Sequence, residues 1–141
     1  MVELPSVTRE KGSSLLKPVL WVARTKEELL AFPREVVHEI GRALTIAQYG
    51  GKHPAAKPLK GFGGAGVVEI VEDFDGNAYR AVYTVKFSDV VYVLHAFQKK
   101  AKRRIATPKK DIELIKSRLK DAQRHYKEHY QSEGETLETR S

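Results

Sequence analysis

The sequence predicts an α+β domain in which helices pack on a small antiparallel sheet, and three observations carry that expectation. Apolar residues recur at three- and four-residue spacing over 36–47 and again over 112–122, the repeat of a helix with one buried face. Between them, residues 67–97 form three strand-like blocks separated by turn residues and by no helix, which demands an antiparallel meander. The 141 residues suffice for one domain with one hydrophobic core.

Residues 1–18 lack periodicity and contain Gly12-Ser13-Ser14, so they are expected to be a loose N-terminal arm. A short β-type run, Val19-Leu20-Trp21-Val22-Ala23, opens the domain, which is expected to span 19–131. Thr25 with Glu28 three residues on has the spacing of a capping box and predicts a short helix to Ala31. Pro33 suits the first turn of a second helix, in which Val36, Ile40, Ala43, Leu44 and Ala47 share one face. Gly50-Gly51 ends it. Residues 52–66 read as a loop. Strands follow over 67–72, 78–87 and 90–97, the first two joined through Asp75-Gly76, a strong hairpin signal. In the middle strand Tyr79, Ala81, Tyr83 and Val85 face one way, and Arg80, Val82, Thr84 and Lys86 the other. Thr107-Pro108 starts the last helix, with Thr as cap, and Ile112, Ile115, Leu119 and Ala122 line its buried face to about Tyr130. Residues 132–141 are a polar tail, expected to be disordered.

Composition narrows the function. No apolar run approaches the roughly 18 residues of a membrane span, and the first fourteen residues lack the apolar stretch of a signal peptide. There is no cysteine, which excludes disulfides, thiolate chemistry and cysteine-based zinc sites. A cytoplasmic location is the simplest expectation. The net charge is +7, and seven basic residues fall between Gln98 and Lys110 with no acidic one among them. Such a cluster suits a polyanion or an acidic protein, although lysine-rich solvated loops are also common.

Two motifs match familiar patterns out of context. Gly61-Phe62-Gly63-Gly64-Ala65-Gly66 fits G-x-G-x-x-G but precedes a strand, whereas dinucleotide binding needs a following helix N-terminus. A glycine turn that lets the backbone approach another surface explains it better. His125-Tyr126-Lys127-Glu128-His129 fits H-x-x-E-H, with two histidines at i, i+4, yet it lies at a helix end with no evident third ligand. No metal site and no cofactor are expected. Glu69, Glu72, Asp73 and Asp75 cluster at the first hairpin, where turn chemistry explains them most simply.

The constellation with chemical promise is Arg80, Tyr83, His95, Lys99 and Lys100, with Lys60 just upstream of the sheet. Cations neutralise phosphates, and aromatic rings stack on splayed bases. The same set suits metal-free RNA cleavage, in which a 2′-hydroxyl attacks the adjacent phosphate. Arg and Lys stabilise the charge that builds there, while His, Tyr or Lys carries protons. Strand parity places Arg80 and Tyr83 on opposite faces, so a single shared site is not assumed.

Several stretches together resemble the phage-derived, HigB-like branch of the RelE/ParE toxin superfamily. They are Lys57-Pro58-Leu59-Lys60-Gly61, Val67-Val68-Glu69-Ile70, Tyr79-Arg80-Ala81-Val82-Tyr83 and Val93-Leu94-His95-Ala96-Phe97-Gln98-Lys99-Lys100. Thr107-Pro108 with Ile112, Ile115, Arg118 and Leu119 completes the set. The resemblance implies a RelE-like fold and the toxin half of a type II toxin–antitoxin pair, with a HigA-like helix-turn-helix antitoxin. It also implies a ribosome-dependent mRNA endonuclease that works without metal. By position in the motifs, Arg80, Lys99 and Lys100 are the first candidates for phosphate contact. Tyr83 and His95 follow as RNA contacts or proton carriers, with Lys60, Lys102, Arg103 and Arg104 as RNA-binding residues. The chain lacks the His/Asp set found near the C-terminus of some HigB proteins. Two rival functions remain: a ParE-like toxin that binds gyrase without cutting RNA, and a non-toxic phage-derived remnant of the fold.

Overall fold

Asp75 and Gly76 adopt φ of 49° and 81°, the paired left-handed conformation of a two-residue hairpin turn. In a computed structural model of the chain this turn joins strands that outrun the sequence expectation at their shared end. The structure describes residues 16–64, 66–100 and 106–131, with the backbone alone of Lys100. The order is β1 (Val19–Trp21), α1 (Thr25–Leu30), α2 (Arg34–Gln48), β2 (Lys57–Pro58), β3 (Val67–Phe74), β4 (Asn77–Thr84), β5 (Val91–Lys100) and α3 (Lys109–Tyr126). A π-helical turn, Lys127–Gln131, continues α3.

The fold is α+β, as expected, and compatible with a RelE-like one. Its sheet is larger and mixed, with five strands in the order β1-β5-β4-β3-β2. β3, β4 and β5 form the antiparallel meander, while β1 lies parallel to β5. Three features differ from the sequence expectation. Lys57-Pro58, within the stretch read as loop, adds a short antiparallel edge beside Val68 and Glu69. β4 ends at Thr84, and β5 runs on to Lys100, so Lys99 and Lys100 belong to a strand. Both predicted threonine caps are absent, because each hydroxyl has a longer-range partner. Thr25 Oγ1 donates to the Val93 carbonyl at 3.4 Å, and Thr107 Oγ1 donates to Glu69 Oε2 at 2.7 Å.

Each face of the sheet carries its own core. On one, Val68, Ile70, Tyr79, Ala81 and Tyr83 pack against Val36, Ile40, Ala43, Leu44 and Ala47 of α2, the stripe predicted from spacing. On the other, Val67, Val82, Tyr92 and Leu94 meet Ile115 and Ala122 of α3, with Ile112 and Leu119 half-buried beside them. Each fully buried Leu, Ile or Val contributes about 1.5–3 kcal/mol. Gly66 lets its segment approach the stretch just after β4 closely, since a Cβ there would lie 2.7 Å from Lys86 Cβ. Of the expected N-terminal arm only 16–18 are described, and Lys17 there bonds Gln48 and the Phe87 carbonyl. No helix among the described residues is long and apolar enough to cross a membrane.

Candidate functional site

Strand register decides which polar side chains can meet. On the α3 face three cross-strand rows run side by side: Glu69–Val82–His95, Val71–Arg80–Phe97 and Asp73–Ala78–Lys99. A β-bulge makes the last strand fit this scheme. The pairing skips Leu94 between Val82↔His95 and Tyr83↔Val93, so Leu94 and His95 both face α3. Arg80, His95 and Lys99 thus share one face.

Tyr83 does not join them. It lies on the α2 face, fully buried, and its hydroxyl has no hydrogen-bond partner among the described residues. Burial pushes its pKa up to about 12. A phenol so placed touches no substrate and carries no proton near neutrality, so the structure separates Tyr83 from the candidate set.

Arg80 is 2% exposed, yet it borders a cleft of about 870 Å³. One wall is the 54–60 segment with Lys57, Leu59 and Lys60. The floor is Glu69, Val71, Asp73 and Arg80, and the far wall is Ala106, Thr107 and Ile112. Arg80 Nη1 donates to Glu69 Oε2 at 3.3 Å and to Thr107 Oγ1 at 3.2 Å, and Thr107 donates onward to Glu69. The result is a closed triangle of guanidinium, carboxylate and hydroxyl at the cleft floor. Two lysines on the near wall add positive charge. This arrangement can hold a phosphodiester against Arg80 and offers a carboxylate to accept a proton.

His95 is near this cleft but tied down. Its Nε2 lies 2.9 Å from Asp111 Oδ1 and its Nδ1 lies 3.4 Å from Arg118 Nη1, which also donates to the Leu94 carbonyl at 2.9 Å. A guanidinium only donates, so Nδ1 accepts and Nε2–H donates to Asp111. The ring also stacks on Phe97, centroids 4.4 Å apart. With both nitrogens engaged, His95 pins the first turns of α3 to β5.

The outer wall is pinned in a similar way. His53 Nδ1 accepts from the Ala55 amide, so its Nε2–H donates to Glu39 Oε2 at 2.7 Å. That bond is the largest cause holding the Glu39 carboxyl below its ordinary value. It anchors the cleft-lining residues Pro54 and Ala55 to α2.

Lys60 lines the cleft as a cation, and Lys99 lies on the same face opposite Ala78. The backbone of Lys100 pairs with Asn77. Lys102, Arg103 and Arg104 lie outside the described residues. In the H-x-x-E-H segment His125 and His129 stack at 4.0 Å. The Tyr92 hydroxyl and His125 Nδ1 share a hydrogen bond of 2.7 Å, and His129 Nδ1 donates to the His125 carbonyl. Burial, foremost, pushes the His125 pKa down. Among the described residues no group of three or more His, Asp or Glu is placed to hold a metal ion.

Sequence reasoning missed Glu69, Lys57, Thr107, Asp111 and Arg118 as parts of this region. Turn chemistry accounts for Glu69 at the level of sequence, yet its partner Thr107 is 38 residues away. Only the alternation that puts Glu69 and Arg80 on one face hinted at the pairing.

Residues 27–120 match the family model described as Phage derived protein Gp49-like (DUF891). Comparison with curated proteins gives no match. The match covers two thirds of the chain and includes Arg80, Glu69, Thr107 and both walls of the cleft. The chain therefore belongs to the phage-derived Gp49-like family, which is associated with RelE-like toxins of toxin–antitoxin systems and so implies an antitoxin partner.

Proposed function

We propose that the protein is the toxin of a type II toxin–antitoxin pair and that its cleft cuts messenger RNA without a metal. The observation that carries this reading is the Arg80–Glu69–Thr107 triangle at the floor of a lysine-walled cleft. Glu69 takes the proton of the ribose 2′-hydroxyl, whose oxygen bonds to phosphorus as the bond to the 5′-oxygen breaks. Arg80, with Lys57 and Lys60, stabilises the charge on the phosphorane oxygens. Lys60 supplies the proton to the departing 5′-oxygen. The products are a 2′,3′-cyclic phosphate and a 5′-hydroxyl. Lys99 and Lys100, with the 102–104 cations, hold the flanking phosphates. His95 acts through α3 and is a positioning residue.

The ribosome holds the message in register with the cleft, and a HigA-like helix-turn-helix antitoxin neutralises the toxin. Induction in growing cells followed by mapping of mRNA 5′ ends tests this. New codon-linked ends with wild type, absent with Arg80→Ala, support it. Arrested growth with intact messages and inhibited supercoiling would instead identify a gyrase-directed toxin, and unimpaired growth without antitoxin a remnant.

A further inference from the structure

Six cations and three acids occupy exposed positions along α3 and its π-helical turn: Lys109, Lys110, Lys116, Lys120, Arg124 and Lys127 against Glu113, Asp121 and Glu128. Four of the lysines recur at intervals of seven, four and seven residues. At about 100° per residue they share one azimuth, opposite the buried Ile115 and Ala122. Glu113 interrupts the row, and Asp121 is engaged by Arg124 at 3.3 Å. None of the four lysines is in an ion pair among the described residues.

Local stability does not account for this row. Lys116 and Lys120 are like charges at i, i+4, and Lys109 and Lys110 sit at the positive end of the helix dipole; both placements are unfavourable. The outward face of α2 carries no such excess, since Arg34 and Arg42 are balanced there by Glu35 and Glu39. The row spans about 27 Å on a rigid helix and starts beside the cleft, which Ile112 lines. No aromatic ring lies on this azimuth, so a ligand here is held through phosphates rather than by stacked bases.

We propose that the outer row Lys109, Lys116, Lys120 and Lys127 is a second RNA-binding surface that grips the backbone of double-helical RNA. The cleft takes a single strand beside it. This rests on the RNA reading of the cleft only for the choice of polyanion, and its test involves no cleavage. A blunt RNA duplex of about 16 base pairs, the length a shape-reading protein covers, is titrated with the full chain over about 50–200 mM salt.

Wild type binds with a steep salt dependence. Combined Lys116→Glu, Lys120→Glu and Lys127→Glu weakens binding at least about tenfold and flattens the salt slope. The matching Lys→Arg triple variant retains affinity, and an unchanged circular-dichroism melt of the Glu variant excludes misfolding as the cause. Arg80→Lys keeps duplex binding whatever its effect on message cutting at the ribosome, so failure of the cleft reading stays distinguishable. Equal binding by the Glu variant overturns the proposal. So does preference for a DNA duplex of the same length, or loss of affinity only for an acidic protein partner.

Discussion

Arg80 and Glu69 are nearly dry, with side chains 3% and 14% exposed, so each depends on the other for its charge to be tolerated. Removing one partner of such a pair typically costs about 3–5 kcal/mol, because the remaining charge is left buried. Arg80→Ala should therefore lower thermal stability as well as activity, whereas Arg80→Lys should keep more of the fold and still lose cutting. Thr107→Val removes the hydroxyl that accepts from Arg80 and donates to Glu69. We expect about 1–3 kcal/mol of destabilisation in chemical unfolding and a fall in kcat with little change in KM. Tyr83 makes the opposite case. Tyr83→Phe deletes a buried hydroxyl without a partner among the described residues, so stability should stay level or rise, and toxicity should persist. Its folded-state pKa of about 12 lies above the ordinary value of 10.0. The stability tied to this group is complete below pH 10 and falls as pH climbs toward 12. Tyr83→Phe should flatten that alkaline limb in pH-dependent melting.

At the scale of elements, two histidine bridges fix the cleft walls, and neither histidine needs to meet substrate. His53 joins the outer wall to α2 through Glu39, and His95 joins the first turns of α3 to β5 through Asp111 and Arg118. Glu39 is held below its ordinary value of 4.5, so its contribution is present above that pH and lost as pH falls through the lowered pKa. Glu39→Gln should flatten the acid limb of stability below pH 4.5, and His53→Ala should raise KM through a loosened outer wall. Arg118→Gln should disturb the His95 tautomer, visible in the ring-nitrogen shifts of nitrogen-15 NMR. It should lower activity without abolishing RNA binding.

The elements also explain what sequence could and could not reveal. The α2 stripe and the opposed faces of Arg80 and Tyr83 were legible, because period alone determines them. The side of His95 was not. Counting alternation from Tyr92 puts His95 with Val93, and the bulge at Leu94 reverses it. Thr25 and Thr107 read as caps because local spacing says nothing about the carbonyl or carboxylate that folding brings to each.

In the whole molecule, one sheet separates two apolar cores, and the β3 edge of the α3 face opens to form a cleft. β2 covers just Val68 and Glu69 at that edge, which leaves the near wall to the short 54–60 segment carrying Lys57 and Lys60. The fold thus sets a fixed, buried ion pair beneath cations that a polyanion can reach. The net charge of +7 favours the approach of RNA. The most direct measurement is the chemistry of the cut ends in a reconstituted translation reaction containing the purified protein and a chelator. Wild type should leave 2′,3′-cyclic phosphates and 5′-hydroxyls on the message, and both Glu69→Gln and Arg80→Lys should abolish them while the protein stays folded. Products ending in 3′-hydroxyl and 5′-phosphate, or undiminished cutting by either variant, would contradict the assignment of this cleft.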